Sequence, residues 1–243
     1  MKTRLLVVGT LTLPLAAASL SARAADPAPA SAQTDQSYEQ KIAQRTDDVL
    51  KALGDLNDPA KTARVRETIL SHYRALNSWH DAHDAELKTL SREPAETAKP
   101  KAEAVKATLK PTHDDFLKRL SQDLTADQVE TVKDKLTYNV VHVTYKAFCE
   151  MIPTLTDEQK TYILATLKDA REEAMDGGSS EEKHAVFGRY KGRINIYLTK
   201  QGYDLKKETK AWQERRKAAQ EKRGGGGSSG DNGATKAGDA EAK

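Results

Sequence analysis

The amino-acid sequence predicts an all-α protein, a single-domain helical bundle with disordered termini. Apolar residues recur at steps of three and four, as they do along one face of an α-helix. Helix caps and breakers punctuate the chain, among them Asp58-Pro59 and Gly177-Gly178. The one β-branched run, "NVVHVTY" at 139–145, is short, so we expect an extended connection there and not a sheet.

The first residues are typical of a secretory signal peptide. A basic start precedes an apolar run at 5–20, and "ARA" at 22–24 is an A-x-A cleavage site. A membrane anchor is the alternative, but the run is short and Pro14 interrupts it. We therefore expect residues 1–24 to be removed on export to the periplasm or the medium, with no membrane span afterwards.

The net charge argues against a nucleic-acid partner. The sequence has 39 Lys and Arg against 36 Asp and Glu, but Lys2, Arg4 and Arg23 lie in the signal peptide. The remainder is balanced, which removes the basic surplus that binding to phosphate backbones requires. The one cysteine, Cys149, cannot form an internal disulfide, and we expect it to be a small buried apolar residue.

Composition divides the rest of the chain into three parts. Residues 25–34 are rich in proline and alanine and are expected to form a flexible leader. The Gly/Ser-rich residues 224–243 are expected to be disordered because they offer a core almost no side chains. The helical domain is therefore placed at 35–223, a length that suits one hydrophobic core.

Helix signals within this domain follow one another closely. A first helix should span about 35–53 and end at Gly54, and a long second one should span about 59–90. Prolines 94, 100 and 111 should break the next segment into short pieces. The remaining helices should start near residues 102, 111, 125 and 156, then after a Ser179–Glu182 capping box, and finally after an Asp204 cap.

A motif of the form LTxxQ occurs twice, in "LTADQVETVKDKL" (124–136) and "LTDEQKTYILATL" (155–167). The motif is typical of a helix start, in which threonine caps the helix and glutamine reaches back to the cap. Two such motifs also resemble the Spy/CpxP family of periplasmic proteins. That resemblance implies a cradle-shaped helical chaperone that holds unfolded clients.

Histidines interrupt the apolar face of the long second helix. Asp84 lies one turn after His80, and Trp79 lies beside it. These histidines could bond to neighbouring helices, line a polar ligand pocket, or contribute to a metal site. No metal-protease motif or cysteine ligand set accompanies them, so we expect neither a metal nor a cofactor. The face comprises Val65, Ile69, His72, Leu76, His80, His83, Leu87 and Leu90.

The stretch "KHAVFGRYKGRINIYL" (183–198) places two glycines four residues apart on one helix face. Gly188 and Gly192 would let another backbone or a ligand come close. The intervening cations and tyrosines predict either a tight helix crossing with a solvated basic rim or an aromatic, cationic patch for a sugar.

Longer segments resemble an uncharacterised exported bacterial family, domain of unknown function 3826. The similar segments are "RALNSWHDAHD" (74–84), "VTYKAFCEMIPTLTDEQ" (143–159) and "AREEAMDGGSSEEKHAVFGRYKGRINIYLTKQGYD" (170–204). The resemblance covers about 35–220. It implies a sugar-binding protein and supplies no catalytic residue.

The leading hypothesis is therefore an exported, all-helical protein that binds an oligo- or polysaccharide and is not an enzyme. The alternatives are an LTxxQ-type chaperone and a glycan-active enzyme. In the sugar-binding hypothesis, His80 and Asp84 bond hydroxyls, aromatic rings pack on the sugar, and cations hold a carboxylate. The candidate ligand-binding residues are Trp79, His80, Asp84, His142, Tyr145, Tyr190, Lys191, Arg193 and Asn195.

Overall fold

A computed structural model describes residues 30–224, with side chains from 36 to 221. This part of the chain is helical and contains no strand, which confirms the all-α prediction. The predicted signal peptide, residues 25–29 of the predicted leader and residues 225–243 of the predicted tail lie outside the described residues. The helices are α1 Ala30–Leu53, α2 Pro59–Leu90, α3 Ala95–Ala107, α4 Lys110–Asp123, α5 Ala126–Leu136, α6 Val140–Met151, α7 Asp157–Met175, α8 Ser180–Lys200 and α9 Leu205–Gly224.

The first helix begins earlier than the sequence predicts. It takes in residues 30–34, which the composition assigned to the flexible leader and which include two alanines and a glutamine, all good helix formers. Residues up to Glu39 belong to a separate unit, and the main unit begins at Gln40. None of the described helices is long and apolar enough to cross a membrane.

The start of the long helix α2 is confirmed at Asp58-Pro59. The Asp58 carboxylate accepts hydrogen bonds from the backbone N–H groups of Ala60 (2.8 Å) and Lys61 (3.1 Å). Proline at the first helical position loses no hydrogen bond, because that N–H has no partner within a helix. The cap fixes the residue at which α2 begins.

Both LTxxQ motifs form complete capping boxes. Thr125 Oγ1 accepts from Gln128 N at 3.3 Å, and Gln128 Oε1 accepts from Thr125 N at 3.0 Å. Thr156 and Gln159 repeat the arrangement at 3.2 and 3.0 Å. The prediction that both motifs start helices through capping boxes is therefore confirmed.

The main apolar cluster lies between α6, α7 and α8. It includes Ile163 and Leu167 of the second LTxxQ motif, both fully buried. The corresponding residues of the first motif, Val132 and Leu136, are buried as well. The apolar sides of both motifs are thus used in packing the chain and are not offered to a client protein.

Two local predictions are wrong. The segment "NVVHVTY" is not extended but begins α6, because Val141 and Phe148 lie on one helical face and pack into the apolar cluster. Tertiary burial outweighs the β preference of its valines. Helix α3 also runs through Pro100 instead of starting after it. Pro100 and Glu96 are exposed, so the Glu96 carbonyl that loses its bond can reach water.

A buried ionic cluster joins α5 to α7. The Arg171 guanidinium is almost fully buried and donates to Asp134 Oδ1 (2.7 Å) and Glu130 Oε2 (2.6 Å). The Glu130 carboxyl loses water on burial, which favours its neutral form, but Arg171 reverses the effect and lowers its pKa overall. Removing Arg171 would take an ion-pair partner from the buried Asp134 carboxylate, whereas Glu130 would still pair with Lys133 and Lys168.

His72 is the one histidine of the α2 face that lies in the core. Its ring stacks on Phe116 of α4 at a centroid distance of 3.8 Å and is 4% exposed. Neither ring nitrogen has a hydrogen-bond partner in the described part of the chain. Burial, with the nearby positive charges of Lys183 and His113, lowers the pKa of His72 to about 3. It is therefore neutral in the folded protein.

We expect His72 to make the protein less stable as the pH falls. Above pH ~6.5 the ring is neutral in both states, and between about 6.5 and 3 only the unfolded chain takes up the proton. The free energy of unfolding should then fall by up to ~1.4 kcal/mol per pH unit. His72→Phe keeps the stacked ring and removes this slope. Denaturant unfolding of the wild type and of His72→Phe from pH 7 to 4 measures this slope. Equal pH dependence of the two free energies of unfolding would refute the prediction.

Candidate functional site

A cavity of about 530 Å³ opens between α2, α3, α7 and α8. Its size lies within the range of small-molecule sites. The α2 wall carries Trp79, His80 and Asp84, three of the residues that the sequence singled out. Leu109 and Val186 contribute apolar surface, and charged side chains of all four helices supply the polar groups.

Asp176, at the end of α7, joins three helices at the edge of this cavity. Its backbone carbonyl accepts a hydrogen bond from His80 Nε2 of α2 at 2.9 Å. Its carboxylate lies 2.9 Å from His113 Nδ1 of α4. The hydrogen bond to this carboxylate is the main cause of the raised pKa of His113, and it outweighs the lowering effect of burial. Asp176 therefore positions the histidine that faces the cavity.

His80 also contacts the next carboxylate on its own helix. Its Nδ1 lies 2.9 Å from Asp84 Oδ1, one turn further along α2. Burial lowers the pKa of His80, but the bonds to the Asp176 carbonyl and to Asp84 outweigh it, and the pKa is raised overall. Both nitrogens of His80 thus face acceptor oxygens, and its ring is held in one orientation.

The α7–α8 turn packs directly against the His80 ring. A Cβ atom at Gly178 would lie 2.8 Å from His80 Cγ and Cδ2, closer than side chains pack. The Gly178 N–H donates to Glu182 Oε2 at 2.7 Å, and Ser179 caps α8. The Ser179–Glu182 capping box is therefore only half formed, because Glu182 turns to the glycine instead of to the cap.

Trp79 is fixed in place before any ligand arrives. Its Nε1 donates to Thr108 Oγ1 at 2.9 Å, and one face of the indole stacks on His83 at 4.6 Å. His83 Nδ1 in turn donates to the Trp79 carbonyl at 2.8 Å. A ring held in this way loses little conformational entropy when it contacts a ligand.

The charged residues opposite α2 come mostly from α8 and α7. Arg189 forms an ion pair with Glu173, and both line the cavity. The pKa of Tyr190 is raised by burial and by its hydrogen bond to the same Glu173. The Arg193 guanidinium lies over the Tyr190 ring, 4.3 Å from its centroid. Tyr190 and Arg193 are therefore linked to the cavity through Glu173 but do not line it.

The other predicted residues lie elsewhere. Lys191 and Asn195 line a second cavity of about 320 Å³, which Trp212 of α9 also lines. His142 bonds Asp134 at 2.7 Å with an exposed side chain, and Tyr145 packs against the apolar cluster. The structure brings Trp79, His80 and Asp84 together and does not bring all nine predicted residues into one cavity.

The glycines of α8 do not mark a close helix crossing. A Cβ at Gly188 or Gly192 would meet no described atom within 4 Å, so this face is open. Lys183, the first residue of the stretch 183–198, is buried and donates to the Met175 carbonyl at 3.1 Å. Burial lowers the pKa of Lys183 to about 8, although Asp176 and Glu182 oppose this change.

Sequence reasoning missed the residues of the cavity that come from α7 and α8. Asp176 and Glu182 flank the double glycine, which the sequence marked only as a helix end. Gly178 is the residue that could have indicated this side of the cavity. A glycine outside a left-handed turn can be required because another group lies close to its backbone. The approaching group is the His80 ring, which lies far away along the chain.

Gly178→Ala should disrupt the His80 position and destabilise the protein. The new methyl group would lie 2.8 Å from the ring, so the ring or the turn must move, at a cost of about 1–3 kcal/mol. Urea denaturation measures the change in the free energy of unfolding.

Gly188→Ala, in α8, is the matched control. It meets nothing within 4 Å and replaces glycine inside a helix, so it should stabilise by up to about 1 kcal/mol. Equal stability of the two variants would contradict the packing described for Gly178.

Comparison with known proteins places the chain in a family. Among curated proteins, no sequence matches this chain. The sequence profile of the family described as "Protein of unknown function (DUF3826)" matches residues 39–218. The match covers α2 to α8 completely, together with most of α1 and α9, and so contains every residue of the cavity. The chain therefore belongs to the DUF3826 family.

Proposed function

We propose that the protein is exported and binds a carbohydrate in the cavity between α2, α3, α7 and α8. The observation that carries the proposal is the convergence of Trp79, His80 and Asp84 on one cavity of about 530 Å³. A fixed indole offers an apolar face to the C–H groups of a sugar ring. The Asp84 carboxylate beside it, which His80 orients, offers hydrogen bonds to sugar hydroxyl groups.

The charged groups of the cavity favour a sugar over a purely apolar ligand. Lys88 of α2 and Lys106 of α3 line the cavity, and Arg189 pairs with Glu173 there. The cations that line the cavity would accept an acidic sugar as well as a neutral one. In the sequence-based hypothesis Lys191 and Arg193 filled this role, but Lys88, Lys106 and Arg189 are the cations that line this cavity.

A chaperone function receives no comparable support. The apolar residues of both LTxxQ motifs are buried within the chain. The resemblance to the Spy/CpxP proteins therefore goes no further than the capping boxes.

Melting temperatures across a panel of neutral and acidic oligosaccharides test the proposal. A ligand that binds only the folded state stabilises it by about 2.7 kcal/mol at a hundredfold excess over the dissociation constant. We expect one glycan class to raise the melting temperature of the full chain. A flat response across the panel would contradict carbohydrate binding.

Paired variants then locate the site. Asp84→Asn removes the charge of a half-exposed cavity residue and should abolish the shift, whereas Asn195→Ala, in the second cavity, should leave it unchanged. The reverse pattern would place the binding site in the second cavity and overturn the assignment.

A further inference from the structure

We propose that His80, Asp84 and Glu182 form a binding site for a divalent transition-metal ion of the zinc type in the wall of the cavity. One ligand atom from each residue lies within 4.8 Å of the other two. An imidazole nitrogen with two carboxylate oxygens is a donor set that suits zinc and its neighbours better than calcium or magnesium. The inference goes beyond carbohydrate binding and does not depend on it.

The hydrogen bond on the far side of the His80 ring supports the proposal. The Asp176 carbonyl can only accept, so His80 Nε2 must carry a hydrogen. In the neutral ring, this leaves the lone pair on Nδ1, the nitrogen that lies beside Asp84. Metal-binding histidines almost always donate their second N–H to a carbonyl or a carboxylate in this way, which fixes the tautomer and the ring orientation.

Rigid backbone positions the three side chains. His80 and Asp84 lie one turn apart on α2, and the spacing places them on the same face. Gly178 lets the α7–α8 turn approach the His80 ring, and this approach brings Glu182 to the two α2 residues. Glu182 uses Oε2 to accept from Gly178, which leaves its other carboxylate oxygen for an ion.

Distances and charges are compatible with an ion. Atoms that bind one zinc ion lie about 3–4 Å apart, so the exposed Glu182 side chain needs only a small rotation. Two carboxylates offset the charge of a divalent cation. The other acidic residues of the cavity are already paired, Glu173 with Arg189 and Asp176 with His113. Three protein ligands would leave coordination positions open on the cavity side, as in zinc sites that bind a further molecule.

The competing explanation is an ordinary ion pair between protonated His80 and Asp84. Calorimetric titration of the full chain with Zn²⁺, without any sugar, separates the two. We expect one ion to bind per chain, and Co²⁺ in its place should give the visible absorption of a nitrogen- and oxygen-bound ion. Absence of saturable Zn²⁺ binding to the wild-type chain would overturn the proposal.

Variants identify the ligands. His80→Gln and Asp84→Asn should each weaken Zn²⁺ binding by at least about tenfold. The control is His142→Gln, which alters a second histidine–aspartate pair that lies outside the three-residue group, and it should bind as the wild type does. Wild-type affinity in both cavity variants, or loss of binding in His142→Gln alone, would overturn the assignment.

Two further measurements keep the result unambiguous. Circular dichroism and melting without metal check the fold, and Asp84→Asn is informative even if His80→Gln unfolds, because the Asp84 side chain is 52% exposed. Binding of Ca²⁺ in preference to Zn²⁺ would contradict the proposed class of ion. Since no sugar is present, failure of metal binding leaves the carbohydrate proposal standing, and a flat sugar panel leaves the metal proposal standing.

Discussion

The pair of contacts made by Asp176 is the constraint on which the site depends. Its carbonyl orients His80 on α2, and its carboxylate lies against His113 on α4. One residue at the end of α7 therefore fixes two helices that are distant in sequence. Lys183 stabilises the end of α7 from within the core, since its buried ammonium group donates to the Met175 carbonyl. These contacts hold the end of α7 against α2 and α4.

The turn that follows Asp176 forms part of the cavity wall. Gly178 has no side chain, so the turn can lie against the His80 ring, and Glu182 then comes close to the same ring. The position of the Glu182 carboxylate near His80 thus depends on the absence of a side chain at Gly178. This explains why the Ser179 cap of α8 lacks its reciprocal glutamate bond.

Local signals were sufficient to predict most of the helices. Asp58-Pro59 and the two LTxxQ motifs start helices because each satisfies its own backbone N–H groups, a requirement visible within a few residues. The start of α6 could not be predicted in this way. Its valines favour strands, and only the burial of Val141 and Phe148 against other helices decides in favour of a helix.

The candidate site was predictable only on its α2 side. His80 and Asp84 lie on one helix, so their spacing already placed them together. Asp176 lies 96 residues beyond His80, and no local pattern links them. Lys191 and Asn195 were grouped with α2 because cations and tyrosines alternate along residues 183–198, but they line the second cavity together with α6 and α9. The spacing of residues along a helix predicts which side chains are neighbours on that helix. Contacts between different helices depend on how the helices pack.

The chain offers a direct test because each cavity contains one of its two tryptophans. Trp79 lines the proposed site, and Trp212 lines the second cavity. Their indole N–H signals in a ¹H–¹⁵N spectrum can be followed while an oligosaccharide that stabilises the protein is added. A ligand in the proposed site should shift the Trp79 signal and leave that of Trp212 in place. A shift of Trp212 alone would contradict the account.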